Sequence, residues 1–195
     1  MKKIIGIYGI SGSGKTTFTK RLVEKHSCIL IDADKIGREI MEKGSPVLAK
    51  VSEVFGQDYL LPDGSLNRKK LGNTVFTDKN KLELLNSITM PEIERIIKER
   101  ALAEKEGIIV IDCALIEKFS VKDIADELVL IKTDPEILIN RLVERDGLER
   151  HVAEGRVALQ SENGFSEYTR IIENNSTIEE LINKADDFIN EMKGC

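Results

Sequence analysis

Five short runs of nearly unbroken apolar character punctuate the chain: Ile4 to Tyr8, Cys28 to Ile31, Ile108 to Cys113, Leu128 to Ile131 and the weaker Arg170 to Ile172. Continuous rather than alternating runs describe strands covered on both faces. Segments of helical period lie between them, so the pattern predicts an α/β fold with a parallel sheet and right-handed crossovers. A length of 195 residues fits one domain, 1–195, able to bury about 70% of the surface its unfolded chain exposes.

Helix starts are written into the same pattern. Thr17 to Lys25 follows the first run directly, and Ser45-Pro46 supplies a cap and a first-turn proline before Val47 to Phe55. Asp134-Pro135 repeats that device ahead of Leu138 and Leu142. Pro91 is expected to open a long amphipathic helix, and Ser176 with Glu179 to form a capping box ahead of Leu181, Ala185 and Ile189. Two stretches interrupt the alternation: 34 to 91, mostly helical with a Pro62-Asp63-Gly64 turn, and the charged segment 146 to 164. Insertions of this kind usually carry substrate-covering elements.

Composition excludes several classes. The net charge of −5 opposes a nucleic-acid coat or an anionic-membrane binder, and 5% aromatics without Trp oppose a base-stacking platform. Cys28, Cys113 and Cys195 lack C-x-x-C spacing and read as reduced thiols in a cytoplasmic protein; His26 and His151 have no ligand-like spacing. The apolar start contains Gly6 and Gly9 and no cleavage site, so no secretion signal is expected, and no stretch has the length of a membrane span.

Gly9-Ile10-Ser11-Gly12-Ser13-Gly14-Lys15-Thr16 matches G-x-x-x-x-G-K-[ST] in full, after a strand and before a helix. Glycines let successive backbone N–H groups turn around a polyphosphate, and the helix N-terminus adds positive partial charge. Lys15 would reach the β and γ phosphates, and the Thr16 hydroxyl would ligate Mg²⁺. The charge distribution agrees: up to Lys25 the chain carries Lys2, Lys3, Lys15, Lys20, Arg21 and Lys25 against Glu24 alone. Asn183-Lys184-Ala185-Asp186 imitates the guanine-reading N-K-x-D pattern but falls inside a helix rather than after a buried strand, so it reads as a chance match.

Asp32 and Asp34 end the second strand and would share one side if strand conformation continued through Asp34. At the carboxyl end of a strand they could take a proton from a hydroxyl or hold Mg²⁺ through water; the alternative is an Asp pair capping the following helix, which Asp34 could do as well. Asp112 ends the third run, as a magnesium-holding carboxylate or as a structural hydrogen-bond acceptor. Arg141, Arg145, Arg150 and Arg156 suit a transferring phosphoryl group, and equally suit a charged surface balanced by Glu144, Asp146, Glu149 and Glu154.

Further signals lie at matching intervals: Asp32-Ala33-Asp34 with Ile36 and Arg38; Gly44-Ser45-Pro46; Phe55-Gly56; Asp63-Gly64 with Leu66, Arg68 and Leu71; Val75-Phe76; Arg145-Asp146-Gly147; Arg156 to Gln160; Asn174-Asn175. With the phosphate loop, this series resembles the dephospho-coenzyme A kinase family. The resemblance implies a P-loop kinase core with five parallel strands in order 2-3-1-4-5, a helical CoA-binding insertion at 34–91 and a lid at 146–164. It implies ATP and Mg²⁺ as cofactors and dephospho-CoA as the small-molecule substrate. No nucleic-acid or membrane partner is expected, and the protein would be a monomer or small homo-oligomer. Lys15, Asp34 and Arg141 would be catalytic, with Asp34 activating the ribose 3′-hydroxyl. ATP would be held by Gly9, Ser11, Gly12, Ser13, Gly14, Lys15, Thr16, Thr17, Arg141, Arg145 and Asn175, and the acceptor by Tyr8, Asp32, Asp34, Arg38 and Leu115.

The chain departs from that family pattern in four places. Tyr8 stands where Thr is usual and Met90 where His is usual. Ala114 replaces a Pro, and the segment after Gln160 is short and lacks a Glu-Lys pair. Two other readings stand beside the resemblance: a nucleoside or nucleotide kinase of the same fold, and an ATP-binding regulatory module without transfer.

Overall fold

The structure, a computed structural model, describes residues 1–75, 77–114, 116–161 and 167–194. Elements alternate as the apolar runs require: β1 (Lys2–Tyr8), α1 (Lys15–His26), β2 (Ile29–Asp32), α2 (Ala33–Glu39), α3 (Pro46–Phe55), α4 (Arg68–Val75), α5 (Lys79–Ala103), β3 (Gly107–Asp112), β4 (Glu127–Lys132), α6 (Pro135–Asp146), α7 (Arg150–Ser161), β5 (Arg170–Glu173) and α8 (Ile178–Gly194). The chain divides into two compact units, Met1–Ile31 with Ala101–Cys195, and Asp32–Arg100.

In the first unit the sheet runs β2-β3-β1-β4-β5, the order implied above. β1 pairs in parallel with β3, Ile7 opposite Asp112, and with β4, Tyr8 opposite Leu130; β4 pairs in parallel with β5. Being central, β1 is covered on both faces, which is why its apolar run is unbroken. Ile5 and Ile7 pack with Phe18 and Leu22 of α1 and with Leu181, Ala185, Phe188 and Ile189 of α8. The Phe18 and Phe188 rings lie 5.8 Å apart. Each such large apolar side chain contributes about 1.5 to 3 kcal/mol on burial.

One carboxylate fastens these two helices. Asp186 accepts from Arg21 at 2.8 and 2.7 Å and from Lys25 at 2.7 Å, with His26 Nε2 at 2.8 Å. These bonds, led by Arg21, hold its carboxyl far below the usual range. The N-K-x-D tetrapeptide is therefore a piece of α8 whose Asp ties α8 to α1.

The second unit is helical, and the Pro62-Asp63-Gly64 turn forms within it, with Gly64 N–H donating to Leu61 O at 2.8 Å. Ser45 caps α3, its Oγ accepting from Leu48 N–H at 3.0 Å, with Pro46 in the first turn. Pro91 does not open a helix; it lies inside α5. The start is set by Asp78, whose Oδ1 accepts from Asn80 and Lys81 N–H at 3.0 and 3.2 Å. A proline costs one intrahelical bond without outweighing the good helix formers from Lys79 onward. The capping box is also shifted by one residue: α8 begins at Ile178, and Thr177 Oγ1 accepts from Glu180 N–H at 3.3 Å. Ser176 and Thr177 are each followed three residues later by Glu, and burial of Leu181, Ala185, Phe188 and Ile189 decides between the two registers.

Candidate active site

The phosphate loop leaves the carboxyl end of β1 and enters α1 at Lys15. Gly9 has φ 144° and Gly14 φ 98°. A Cβ at Gly9 would overlap the Ile131 carbonyl oxygen, and one at Gly14 the Asn174 amide, so both positions need glycine for conformation and for space. Buried scaffold side chains hold the loop. Asn174 Nδ2 donates to Ser13 O at 2.7 Å, and Thr133 Oγ1 lies 3.2 Å from both Ser13 O and Asn174 O. Fixing the Ser13 carbonyl fixes the Gly14 N–H on the opposite side of the same planar peptide unit. Lys15 Nζ donates to Gly9 O at 2.7 Å and Ile10 O at 3.3 Å. Thr16 is exposed at the start of α1 and Thr17 is half-buried beside it.

Arg141 turns toward this loop from α6, donating to Gly12 O at 3.2 Å and Asn174 O at 3.3 Å. Burial holds its guanidinium below the usual arginine range. The other three arginines separate by role. Arg145 forms a bidentate pair with Asp146 at 2.7 and 2.9 Å, and Arg150 pairs with Glu136 and Glu154 at 2.6 and 3.0 Å. Arg156 comes from α7 to 3.6 Å from Asp146 and 3.5 Å from Ser11 Oγ. Beside it, Gln160 Oε1 accepts from Ser11 N–H at 2.8 Å, and its Nε2 donates to Ser11 Oγ at 3.2 Å.

Asp112 ends β3, and its Oδ2 accepts from Thr19 Oγ1 at 3.4 Å in the turn of α1 that follows Thr16. Asn175 Oδ1 accepts from Asp134 N–H at 2.9 Å, holding the start of α6. Among the described residues no group of three or more His, Cys, Asp or Glu could hold a metal ion, and no helix is long and apolar enough to cross a membrane.

Tyr8 is fully buried. Its hydroxyl donates to Glu167 O at 2.6 Å and lies 3.4 Å from Glu117 Oε1, which also accepts from Glu167 N–H at 3.1 Å. Burial, with Glu117 close by, pushes this phenol above the ordinary tyrosine range. The Tyr8 that replaces the usual Thr thus fastens the chain at Glu167, where it returns toward β5. Leu115, Phe76 and the end of the segment expected to form a lid, 162–164, lie outside the described residues.

In the other unit the acidic pair departs from the expected geometry. Strand conformation stops at Asp32, so Asp32 and Asp34 are not two teeth of one strand face. Asp32 is the cap of α2, its Oδ1 accepting from Lys35 N–H at 2.8 Å. Asp34 lies exposed in the first turn of α2, four residues before the exposed Arg38, so the two share one helix face while Ala33 and Ile36 are buried. The buried supports Thr133 and Asn174 carried no role in the sequence; Asn174 was visible only as part of an Asn pair.

A loop of this sequence after the central strand of a 2-3-1-4-5 parallel sheet is the arrangement of P-loop kinases, and solved structures agree on the fold. A Thermus thermophilus protein superposes with TM-score 0.78 at 23% identity, covering 97% of each chain. The dephospho-CoA kinase of Campylobacter jejuni gives 0.74 at 24%, covering 100% of this chain and 99% of that one. A shikimate kinase from Bacteroides thetaiotaomicron gives 0.55 at 16%, over 99% of both.

Within that class the chain belongs to the dephospho-CoA kinase family, whose model matches residues 3–180. It is 36% identical to the Streptomyces avermitilis dephospho-CoA kinase over 94% of this chain and 90% of that protein. The Listeria innocua relative is 34% identical over 97% and 96%, and the Fusobacterium nucleatum relative 36% over 95% and 96%.

Proposed function

We propose that the protein transfers the γ-phosphoryl group of ATP to the ribose 3′-hydroxyl of dephospho-CoA, giving CoA and ADP. The observation that carries this reading is the phosphate loop held from beneath by Asn174, Thr133 and Arg141, in a chain of this family. Such a transition state asks mostly for positioning and charge stabilisation. Loop amides and Lys15 hold the phosphates, and Arg141, already beside Gly12, stabilises charge on the moving group. Asp34 orients or deprotonates the acceptor hydroxyl, Asp32 holds the helix that carries it, and Arg38 on the same face binds acceptor phosphate. Arg145 and Arg156 belong to the lid, whose closure excludes water.

Oxygen donors suit Mg²⁺, and exposed Thr16 of α1 with Asp112 at the end of β3, which accepts from Thr19 one turn beyond Thr16, offers such a set. When bound, the ion neutralises charge on the phosphates; Thr16 would hold it directly and Asp112 through water. The reading carries with it a cytoplasmic enzyme acting on a small molecule, as a monomer or small homo-oligomer.

A coupled ADP assay with ATP and Mg²⁺ tests the acceptor. Turnover on dephospho-CoA is expected. Turnover on uridine, dTMP or AMP, with none on dephospho-CoA, would make this a different kinase of the same fold. ATP binding without any transfer would make it a regulatory module.

A further inference from the structure

The contact between Ser11 and Gln160 is reciprocal. One carboxamide accepts from the backbone N–H and donates to the hydroxyl of the same residue, at 2.8 and 3.2 Å, across 149 residues of chain. Its neighbours fix the setting. Ile10, beside Ser11, packs against the cluster formed by Leu138, Ile139 and Leu142 of α6 and Ala153 and Val157 of α7. Ala153 and Val157 are four residues apart and buried, so they define which side of α7 meets α6. Arg156 and Gln160 are also four apart and form the adjoining face, which meets Ser11. Apolar packing tolerates small slides and rotations, whereas a two-point hydrogen bond fixes one register. Gln160 thus joins α7 to the phosphate loop by two bonds, and Arg156 lies one turn away on the same helix.

We infer that Gln160 is a positioning residue for phosphoryl transfer: it latches α7 to the third residue of the phosphate loop, aligning Arg156 over the phosphates and closing the site to water. The inference rests on the proposed ATP reaction. The carboxamide supplies both an acceptor for Ser11 N–H and a donor for Ser11 Oγ; asparagine is one methylene shorter, and methionine has the length with neither polar group.

The test measures CoA and ADP separately for wild type, Gln160→Met, Ser11→Ala and the double variant. For Gln160→Met the expected result is a kcat lower by about 10-fold, with KM for ATP held within about 3-fold. ADP should form in excess of CoA, because a lid out of register admits water. Ser11→Ala keeps the backbone bond and should show a smaller change in the same direction. The double variant should be no worse than Gln160→Met alone, because both changes remove one shared contact. Wild-type kcat with equal ADP and CoA in Gln160→Met would overturn the inference. So would a rise in KM for ATP as large as the fall in kcat, which would make Gln160 a nucleotide ligand. A wild-type protein that makes no CoA would instead overturn the reading on which the latch rests, and the inference falls with it.

Discussion

The two units of the chain use their polar side chains differently. In the sheet-bearing unit, polar groups reach across the sequence to fix backbone, Asn174 to Ser13, Arg141 to Gly12 and Gln160 to Ser11, and Asp186 joins the Arg21 side chain of another helix. In the unit Asp32–Arg100, most ion pairs among the described residues are local to one helix or its cap: Lys50 with Glu53, Lys81 with Asp78, Glu92 and Glu99 with Arg95, Glu94 with Lys98. Arg100 with Glu39 is a pair between helices. Long-range bonds between elements preorganise a site, whereas local exposed pairs support a helix without specifying what it faces. The phosphate loop is thus held by bonds built into the fold of its unit, while Asp34 and Arg38, the proposed acceptor-side pair, are presented on an exposed helix face.

The sharpest way to break this comparison is Asp34→Asn. Transfer should fall by about 10²- to 10⁴-fold while ATP affinity stays near wild type. Equal losses of ATP binding and turnover would show that the acceptor-side carboxylate is part of the nucleotide cradle. Next, Asn174→Ala should lower stability by about 1 to 3 kcal/mol, a Tm loss of roughly 3 to 10 °C, and raise KM for ATP. Thermal unfolding with and without ATP measures both effects.

A smaller effect is expected on acid titration. The folded value of Asp186 lies below its unfolded value, so its contribution is fully present above the unfolded carboxylate value of about 4. It is lost as pH falls through that point toward the folded value. Denaturant unfolding at pH 3 and pH 6 should therefore differ less in Asp186→Asn than in wild type. The smallest effect is reserved for Arg95→Ala, whose partners Glu92 and Glu99 lie on the exposed face of its own helix: a Tm change under about 2 °C, read by the same melt. A drop comparable to that of Asn174→Ala would erase the contrast between the units.

Much of the first unit was legible because its signals are local. A continuous apolar run marks a doubly covered strand, and a glycine-rich octapeptide followed by a helix marks a phosphate loop. Helix boundaries were less legible where caps compete: Asp78 rather than Pro91 starts α5, and Thr177 rather than Ser176 starts α8. A lone Asp before a run of helix formers is a weaker signal than proline, and adjacent Ser and Thr are equivalent until packing chooses. Among the candidate residues, sequence could not tell the four arginines apart. Only the fold sends Arg141 to the Gly12 carbonyl and Arg156 to Ser11, and leaves Arg145 and Arg150 in exposed pairs.

The α/β class, the phosphate loop, the family and the acidic block at Asp32 and Asp34 can be read from the chain alone, because each is carried by residue types at short, fixed spacing. It takes the folded chain to make Asp32 a helix cap and Asp34 a helix-face residue, to fasten Tyr8 to Glu167, to join two helices through Asp186 of the imitation guanine motif, and to bring Gln160 onto Ser11. Those roles rest on hydrogen bonds, most of them between residues more than a hundred positions apart. Such partners are chosen by how strands and helices pack, and nothing in the local sequence of either one names the other.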